Sequence, residues 1–364
     1  MVPEKDITQI DKNLAAVEVR YDGMKVYNIN QPPFRIYGLC RSGGETDFKR
    51  LPHAVAAGID NESVRALYTN TAGGRIRFRT DSRQIILRCS WPSRCDFPHM
   101  PMTGTSCFDL YADGVYCNVF RPGITLSGDF GDSIPIENGY QSGYTFPDSR
   151  MREILIHFPL YNDVSQVWIA LEEHAQVLPG TEYAHTRPIV YYGSSITQGG
   201  CASHAGNAYQ AIISRRLDTD YINLGFSGGC RAEPEMAAYL ASLDMRAFVY
   251  DYDHNAPTPE FLEETHERLF RIFRQAQPQT PVLMISAADH CFGSDIDRRK
   301  AVIRRTYENA LAAGDRNVYF LDGQTIYTPV GWDLCTVDNC HPTDLGFWCM
   351  ANAIGRELQA ILNQ

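Results

Sequence analysis

The sequence predicts an α/β protein in two parts: an all-β sandwich, jelly-roll-like, over residues 1–178, then a three-layer α/β/α unit with a mostly parallel sheet over 188–364. Three observations carry this expectation. At 364 residues the chain exceeds one ordinary domain and suffices for two, each with its own core. Short β-branched and aromatic runs fill the first half, whereas such runs alternate with amphipathic helical windows in the second. Between them, the segment from Pro179 to Pro188 opens on Pro-Gly, lacks apolar periodicity and closes on proline, as an inter-domain linker does.

In the first half, strands are predicted at Lys25–Asn28, Ile76–Arg79, Ile85–Cys89, Phe108–Tyr111, Glu153–His157 and Val167–Leu171. Turn signals separate them, at Asp113-Gly114, Arg121-Pro122-Gly123 and Gly128–Gly131. Many short strands without long helical windows argue for a sandwich or jelly roll. In the second half, strands are predicted at Ile189–Tyr192, Tyr221–Leu224, Ala247–Tyr252, Val282–Ser286 and Val318–Leu321. Helical windows fall at Asn207–Leu217, Glu260–Gln275, Asp297–Ala313 and Thr343–Leu362. This βαβ rhythm implies loops gathered at the carboxyl ends of parallel strands, where ligands bind.

The formal net charge of −10 disfavours nucleic acid or an anionic membrane as a general partner. Met1 to Ile7 lack a basic stretch followed by an apolar one, and no run approaches the roughly 18 apolar residues of a membrane span. A cytoplasmic chain is therefore expected. Eleven cysteines without repeated CxxC pairs fit free thiols in a reducing compartment, although Cys335 and Cys340 flank Asp338 and could still pair.

The chemistry concentrates on three residues. The run Ile189–Tyr192 ends in Gly193-Ser194-Ser195, which places a hydroxyl where a strand leaves the core. A serine is a weak nucleophile until a base takes its proton, and the base needs an orienting acceptor. Far downstream, Asp338-Asn339-Cys340-His341-Pro342 supplies both, with Asp338 three residues before His341. Singly, Ser195, Asp338 and His341 read as turn or loop residues. Their joint occurrence favours a catalytic triad.

With those residues in hand, the second half resembles the SGNH (GDSL-type) hydrolase family over about residues 188 to 364. Gly193-Ser194-Ser195-Ile196 is similar to its first block, with Ser194 where the family has Asp. Asn223 to Gly229 resembles the second block, and Tyr250 to Asn255 the third, with Asp253 in place of a glycine. The block Asp338 to Pro342 matches closely. The resemblance implies an oxyanion hole made by the backbone N–H groups of Ser195 and Gly228 and the amide of Asn255. In the first half, Cys107-Phe108-Asp109-Leu110-Tyr111 resembles the Gly-x-Asp-Leu-Tyr signature of β-sandwich domains that precede some bacterial SGNH esterases, with Cys107 replacing glycine.

A metal site from Asp251, Asp253, His254 and His290 lacks zinc-type spacing, so solvated or capping roles are expected for these residues and no metal or cofactor. Trp332 reads either as a substrate-binding wall or as an aromatic buried under a loop. What the resemblance implies is a serine esterase that removes small acyl groups, acetyl above all, from a carbohydrate. A lipase or thioesterase, or a carbohydrate-binding protein without activity, are the alternatives. Oligomeric state is not legible.

Overall fold

Residues 189 to 192 alternate their side chains across the sheet they enter, and that alternation organises the carboxyl-terminal half. Ile189 and Tyr191 face one apolar core, Val190 and Tyr192 the other. The computed structural model describes residues 11, 19–40, 47–92, 95–122 and 139–363. The turn cluster Gly128–Gly131 and the amino-terminal segment read for a leader lie outside them.

Five parallel strands form the carboxyl-terminal sheet in the order β12-β11-β13-β14-β15, namely β11 (His185–Gly193), β12 (Thr219–Gly225), β13 (Ala247–Asp251), β14 (Val282–Ile285) and β15 (Val318–Leu321). Helices α5 (Tyr209–Leu217) and α10 (Asp344–Leu362) cover one face, and α6 (Pro234–Ser242), α7 (Pro259–Ala276) and α8 (Ile296–Ala312) the other. Helix α7 starts where predicted because Thr258 caps it, accepting from the Phe261 N–H at 3.2 Å, and Pro259 occupies the first turn. Its Leu262, Leu269 and Phe273 are buried against the sheet.

The amino-terminal half contains two antiparallel sheets. One runs β1-β9-β4-β7, from β1 (Met24–Asn28), β4 (Gln84–Ser90), β7 (Tyr140–Thr145) and β9 (Gln166–Glu172). The other runs β10-β3-β8-β5-β6, from β3 (Arg75–Thr80), β5 (Phe108–Ala112), β6 (Val115–Phe120), β8 (Arg152–His157) and β10 (Val177–Pro179), with β2 (Arg35–Tyr37) also on β3. Their inward residues, among them Ile76, Phe78, Ile85, Leu87, Leu110 and Ile156, share one core.

Two differences from the sequence expectation bear on the site. Strand β11 begins inside the segment read as a linker, where His185 pairs with Thr219. The halves also do not bury their cores separately. Helices α1 (His53–Gly58) and α2 (Glu62–Leu67) leave the sandwich and put Leu51, Ala56, Ile59 and Val64 into the core with Val190, Tyr192 and Phe226. Buried Arg50 donates to Leu67 O at 2.6 Å, to Asn70 O at 2.9 Å and to Gly225 O at the end of β12, and lies over the Phe226 ring. Asp109 of β5 ties the halves again. Its carboxylate accepts from the Nδ1 of His157 and of His204, each at 2.7 Å, and from Gly206 N–H at 2.6 Å.

Candidate active site

Strand order 2-1-3-4-5 creates a switch point between β11 and β13, outside whose carboxyl ends a crevice forms. Gly193 ends β11 level with Gly225 of β12 and Asp251 of β13, so the three loops that follow start side by side. Gly193 must be glycine, since a β-carbon there would lie 2.1 Å from Thr197 Oγ1. Next, Ser194 Oγ caps the single-turn helix α4 (Ser195–Gln198) by accepting from Ile196 N–H at 3.2 Å. A serine in place of the family's aspartate therefore retains the acceptor that a helix start requires.

Ser195 opens α4 and is 6% exposed. Its Oγ lies 2.9 Å from His341 Nε2, and His341 Nδ1 lies 2.8 Å from Asp338 Oδ2. Because a carboxylate only accepts, Nδ1 carries the proton, which leaves Nε2 of the neutral ring facing the serine hydroxyl. The Asp338-to-His341 loop is tight, with Asn339 at φ +68° and Val337 N–H donating to His341 O at 2.8 Å. Asp338 Oδ1 accepts from the N–H groups of His341 at 2.8 Å and Cys340 at 3.2 Å. Partial burial works against the Asp338 charge, but those donors and the His341 ring outweigh it and hold the carboxyl below its ordinary value.

The loop after β12 is braced from three directions. Ser227 N–H donates to Gln198 Oε1 at 3.0 Å, Ser63 Oγ donates to Ser227 O at 2.5 Å, and Asn61 Nδ2 donates to Gly229 O at 2.9 Å. Gly228 sits in it at φ +67°, which explains the glycine, since a β-carbon would meet nothing nearer than Ser63 Oγ at 3.9 Å. Asn255, after β13, accepts from Cys230 N–H at 3.1 Å. The loops carrying Gly228 and Asn255 are thus joined to each other.

The metal grouping considered from sequence is only partly assembled. Asp251, Asp253 and His254 lie together, whereas His290 packs on Trp332 with ring centroids 5.5 Å apart. Asp251 is pushed up to about 7 by burial and by the neighbouring Asp253 charge. Trp332 begins the short helix α9 (Trp332–Cys335) and is 45% exposed, so it is not the aromatic buried under a loop. Cys340 does not pair with Cys335, which contacts Cys349, and among the described residues the structure forms no disulfide.

Sequence reasoning missed the residues contributed by the amino-terminal half. Tyr161 Oη donates to Ser195 O at 3.1 Å, and the His99 and His341 rings are 5.5 Å apart. A β-carbon on Gly200 would approach Tyr161 Oη, Met100 Cε and His341 Cδ2 within 3.0 to 3.2 Å. No local pattern marks these side chains; only the sandwich docking against the carboxyl-terminal sheet brings them here.

A parallel sheet of this order, with a serine–histidine–aspartate chain at its switch point and a β-sandwich in front, defines an ester-cleaving acylhydrolase of the SGNH type. Residues 186–359 match the GDSL-like lipase/acylhydrolase family, and residues 24–177 match the family described as the N-terminus of SGNH-hydrolase-type esterases. The carboxyl-terminal half is thus a GDSL-like lipase/acylhydrolase domain, and the amino-terminal half is the domain found at the N-terminus of SGNH-type esterases. A protein described as a GDSL-like lipase, from Bacteroides ovatus, is 28% identical with a TM-score of 0.80, the match covering 93% of this chain and 98% of that one. A salicylyl-acyltransferase from a tetracycline biosynthetic pathway is 18% identical, with a TM-score of 0.75 over 94% of this chain and 98% of its own. A family two carbohydrate esterase from Cellvibrio japonicus is 13% identical, with a TM-score of 0.60 over 93% and 98%. The last two are likenesses of fold alone. No curated protein sequence matches the chain significantly. Among the described residues no helix is long and apolar enough to cross a membrane.

Proposed function

We propose that the chain is a serine esterase that removes small acyl groups, acetyl in particular, from a carbohydrate, with Ser195 as nucleophile, His341 as base and acid, and Asp338 as orienting carboxylate. The observation that carries the reading is the unbroken relay of 2.9 and 2.8 Å from Ser195 Oγ through His341 to Asp338.

In this reading the Ser195 proton passes to His341 Nε2 as Oγ attacks the ester carbonyl carbon. The carbonyl oxygen becomes negative and is met by the backbone N–H groups of Ser195 and Gly228 and by Asn255 Nδ2. Collapse of the intermediate expels the alcohol, which takes the proton from His341 and leaves an acyl-serine. Water, deprotonated by the same ring, then releases the acid and restores the serine.

The carbohydrate part of the proposal rests on the exposed Trp332, whose ring offers a sugar an apolar face, and on the architecture shared with enzymes named carbohydrate esterases. The amino-terminal half is assigned a wall of the cleft through His99, Met100 and Tyr161. A fluorophosphonate probe should label the wild type and not Ser195→Ala. Acetyl p-nitrophenyl esters and acetylated oligosaccharides should be cleaved faster than long-chain esters. Preference for long chains would make the enzyme a lipase or thioesterase, and absence of labelling would make it a binding protein.

A further inference from the structure

Beside the triad lies a second cluster that the ester chemistry does not use. One donor atom from each of His254, Asp289, Cys291 and Cys340 lies within 4.8 Å of all the others. They come from three loops at the carboxyl edge of the sheet: His254 after β13, Asp289 and Cys291 after β14, and Cys340 from the loop that carries His341. The His254 and Asp289 side chains are 5% and 1% exposed, whereas Cys340 is half-buried and Cys291 exposed, so the cluster runs from the interior out to the surface.

We propose that these four side chains form a closed tetrahedral site for Zn(II), a structural site that clamps the Asp338-to-His341 loop. Two thiolates, an imidazole and a carboxylate are the donors that zinc takes in fours, and four protein ligands leave no open position for hydrolytic chemistry. Chain order does not advertise the site, because only Asp289 and Cys291 are close in sequence.

Neighbouring groups hold the His254 and Asp289 donors in place. His254 Nδ1 lies 2.9 Å from Asp253 Oδ1, and both atoms are buried without a well-aligned hydrogen bond. Asp253 is itself held by Ala287 N–H, which donates to its Oδ2 at 2.8 Å. A carboxylate behind one ring nitrogen directs the other toward a metal. Asp289 is oriented in the same manner. Its Oδ1 accepts from Cys291 N–H at 3.1 Å, and its Oδ2 faces His254 Nε2 at 2.7 Å. Tetrahedral ligands on arms of about 2.0 to 2.1 Å stand roughly 3.3 Å apart, so this pair opens by about 0.6 Å when the ion enters. Cys340 N–H also donates to Asp338 Oδ1, which links the site directly to the carboxylate behind His341.

Cobalt(II) is the probe, added to the reduced full-length protein after chelator treatment. One equivalent should produce a thiolate-to-cobalt charge-transfer band with intense tetrahedral ligand-field bands, and zinc should displace it. Cys291→Ser and Asp289→Asn should each remove or reshape the bands while far-ultraviolet circular dichroism stays unchanged. Asp253→Asn should keep them but weaken affinity about 10- to 100-fold. Cys201→Ser is the control, because Cys201 lies in a different group with His99 and His341. Absence of a thiolate band, its survival in Cys291→Ser, its loss in Cys201→Ser, or a Cys291–Cys340 disulfide in the native protein would each overturn the proposal. None of these readouts depends on Ser195 acting on an ester, so failure here is distinguishable from failure of the esterase reading.

Discussion

The side-chain carbonyl of Asn255 accepts the backbone N–H of Cys230 at 3.1 Å, and this one bond decides which end of the amide remains for a ligand. Because Cys230 offers a donor, Oδ1 must face it and Nδ2 points away. Asn255→Ala should therefore lower kcat by about 100- to 1000-fold, or about 2.7 to 4 kcal/mol of transition-state stabilisation, with little change in melting temperature. Near-normal turnover in a folded variant would remove Asn255 from the oxyanion hole.

Arg50 gives a different signature, because it acts on stability and geometry together. Its guanidinium satisfies carbonyls of Leu67, Asn70 and Gly225 from a fully buried position. Arg50→Met keeps much of the volume but leaves those acceptors without their donor, at about 1–3 kcal/mol for each group that water cannot reach. We expect a clear loss of stability in urea and a fall in turnover, since Gly225 leads into the loop of Gly228. Arg50→Lys should not restore either, as an ammonium cannot span three divergent acceptors. Denaturation curves and kcat on one preparation of each variant test this.

Asp109 ties acid sensitivity to the seam between the halves. Burial alone would push its carboxyl up, but the His157 and His204 rings donate to it and hold it well below the carboxylate range. A depressed folded pKa stabilises at pH values above the unfolded carboxyl's value near 3.9, and that contribution is lost as pH falls toward the folded value. Asp109→Asn should thus destabilise by about 3 kcal/mol or more at pH 7 and remain destabilised at pH 5. Below about pH 4 the wild type should converge on the variant. A gap unchanged down to pH 2 would remove the carboxylate from this role.

Trp332 separates sugar binding from chemistry. If its exposed ring carries part of a sugar's binding energy, Trp332→Ala should raise KM for an acetylated oligosaccharide about tenfold, which corresponds to about 1.4 kcal/mol. The kcat, and the hydrolysis of p-nitrophenyl acetate, should stay within twofold. Equal losses on both substrates would place Trp332 in the support of the catalytic loop.

The strands and helices legible in the sequence were those with enough length or apolar content to show a period. Helix α7 has Leu262, Leu269 and Phe273 at helical spacing, and β4 is a run of Ile85, Ile86 and Leu87. By contrast β7 reads Tyr-Gln-Ser-Gly-Tyr-Thr, too polar to stand out, and α1 and α2 are only six residues each. Elements that short show no reliable periodicity, and these two bury Ala56 and Val64 in the core of the other half. The candidate site divides in the same way. Ser195, His341 and Asp338 sit in motifs whose residue types announce proton transfer, whereas Tyr161, His99 and Arg50 have no such local mark.

Chain order alone determined the class of fold and which hydroxyl, imidazole and carboxylate were candidates for the relay, because strand and helix periods and short functional blocks are local properties. Tertiary structure decided the distance from Ser195 to His341, the bracing of the Gly228 loop by Asn61 and Ser63, and the meeting of His254, Asp289, Cys291 and Cys340. Those depend on how loops from separate strands converge at one sheet edge and on how the sandwich docks against it. Convergence of that kind is set by packing between residues far apart in the chain, which no local pattern encodes.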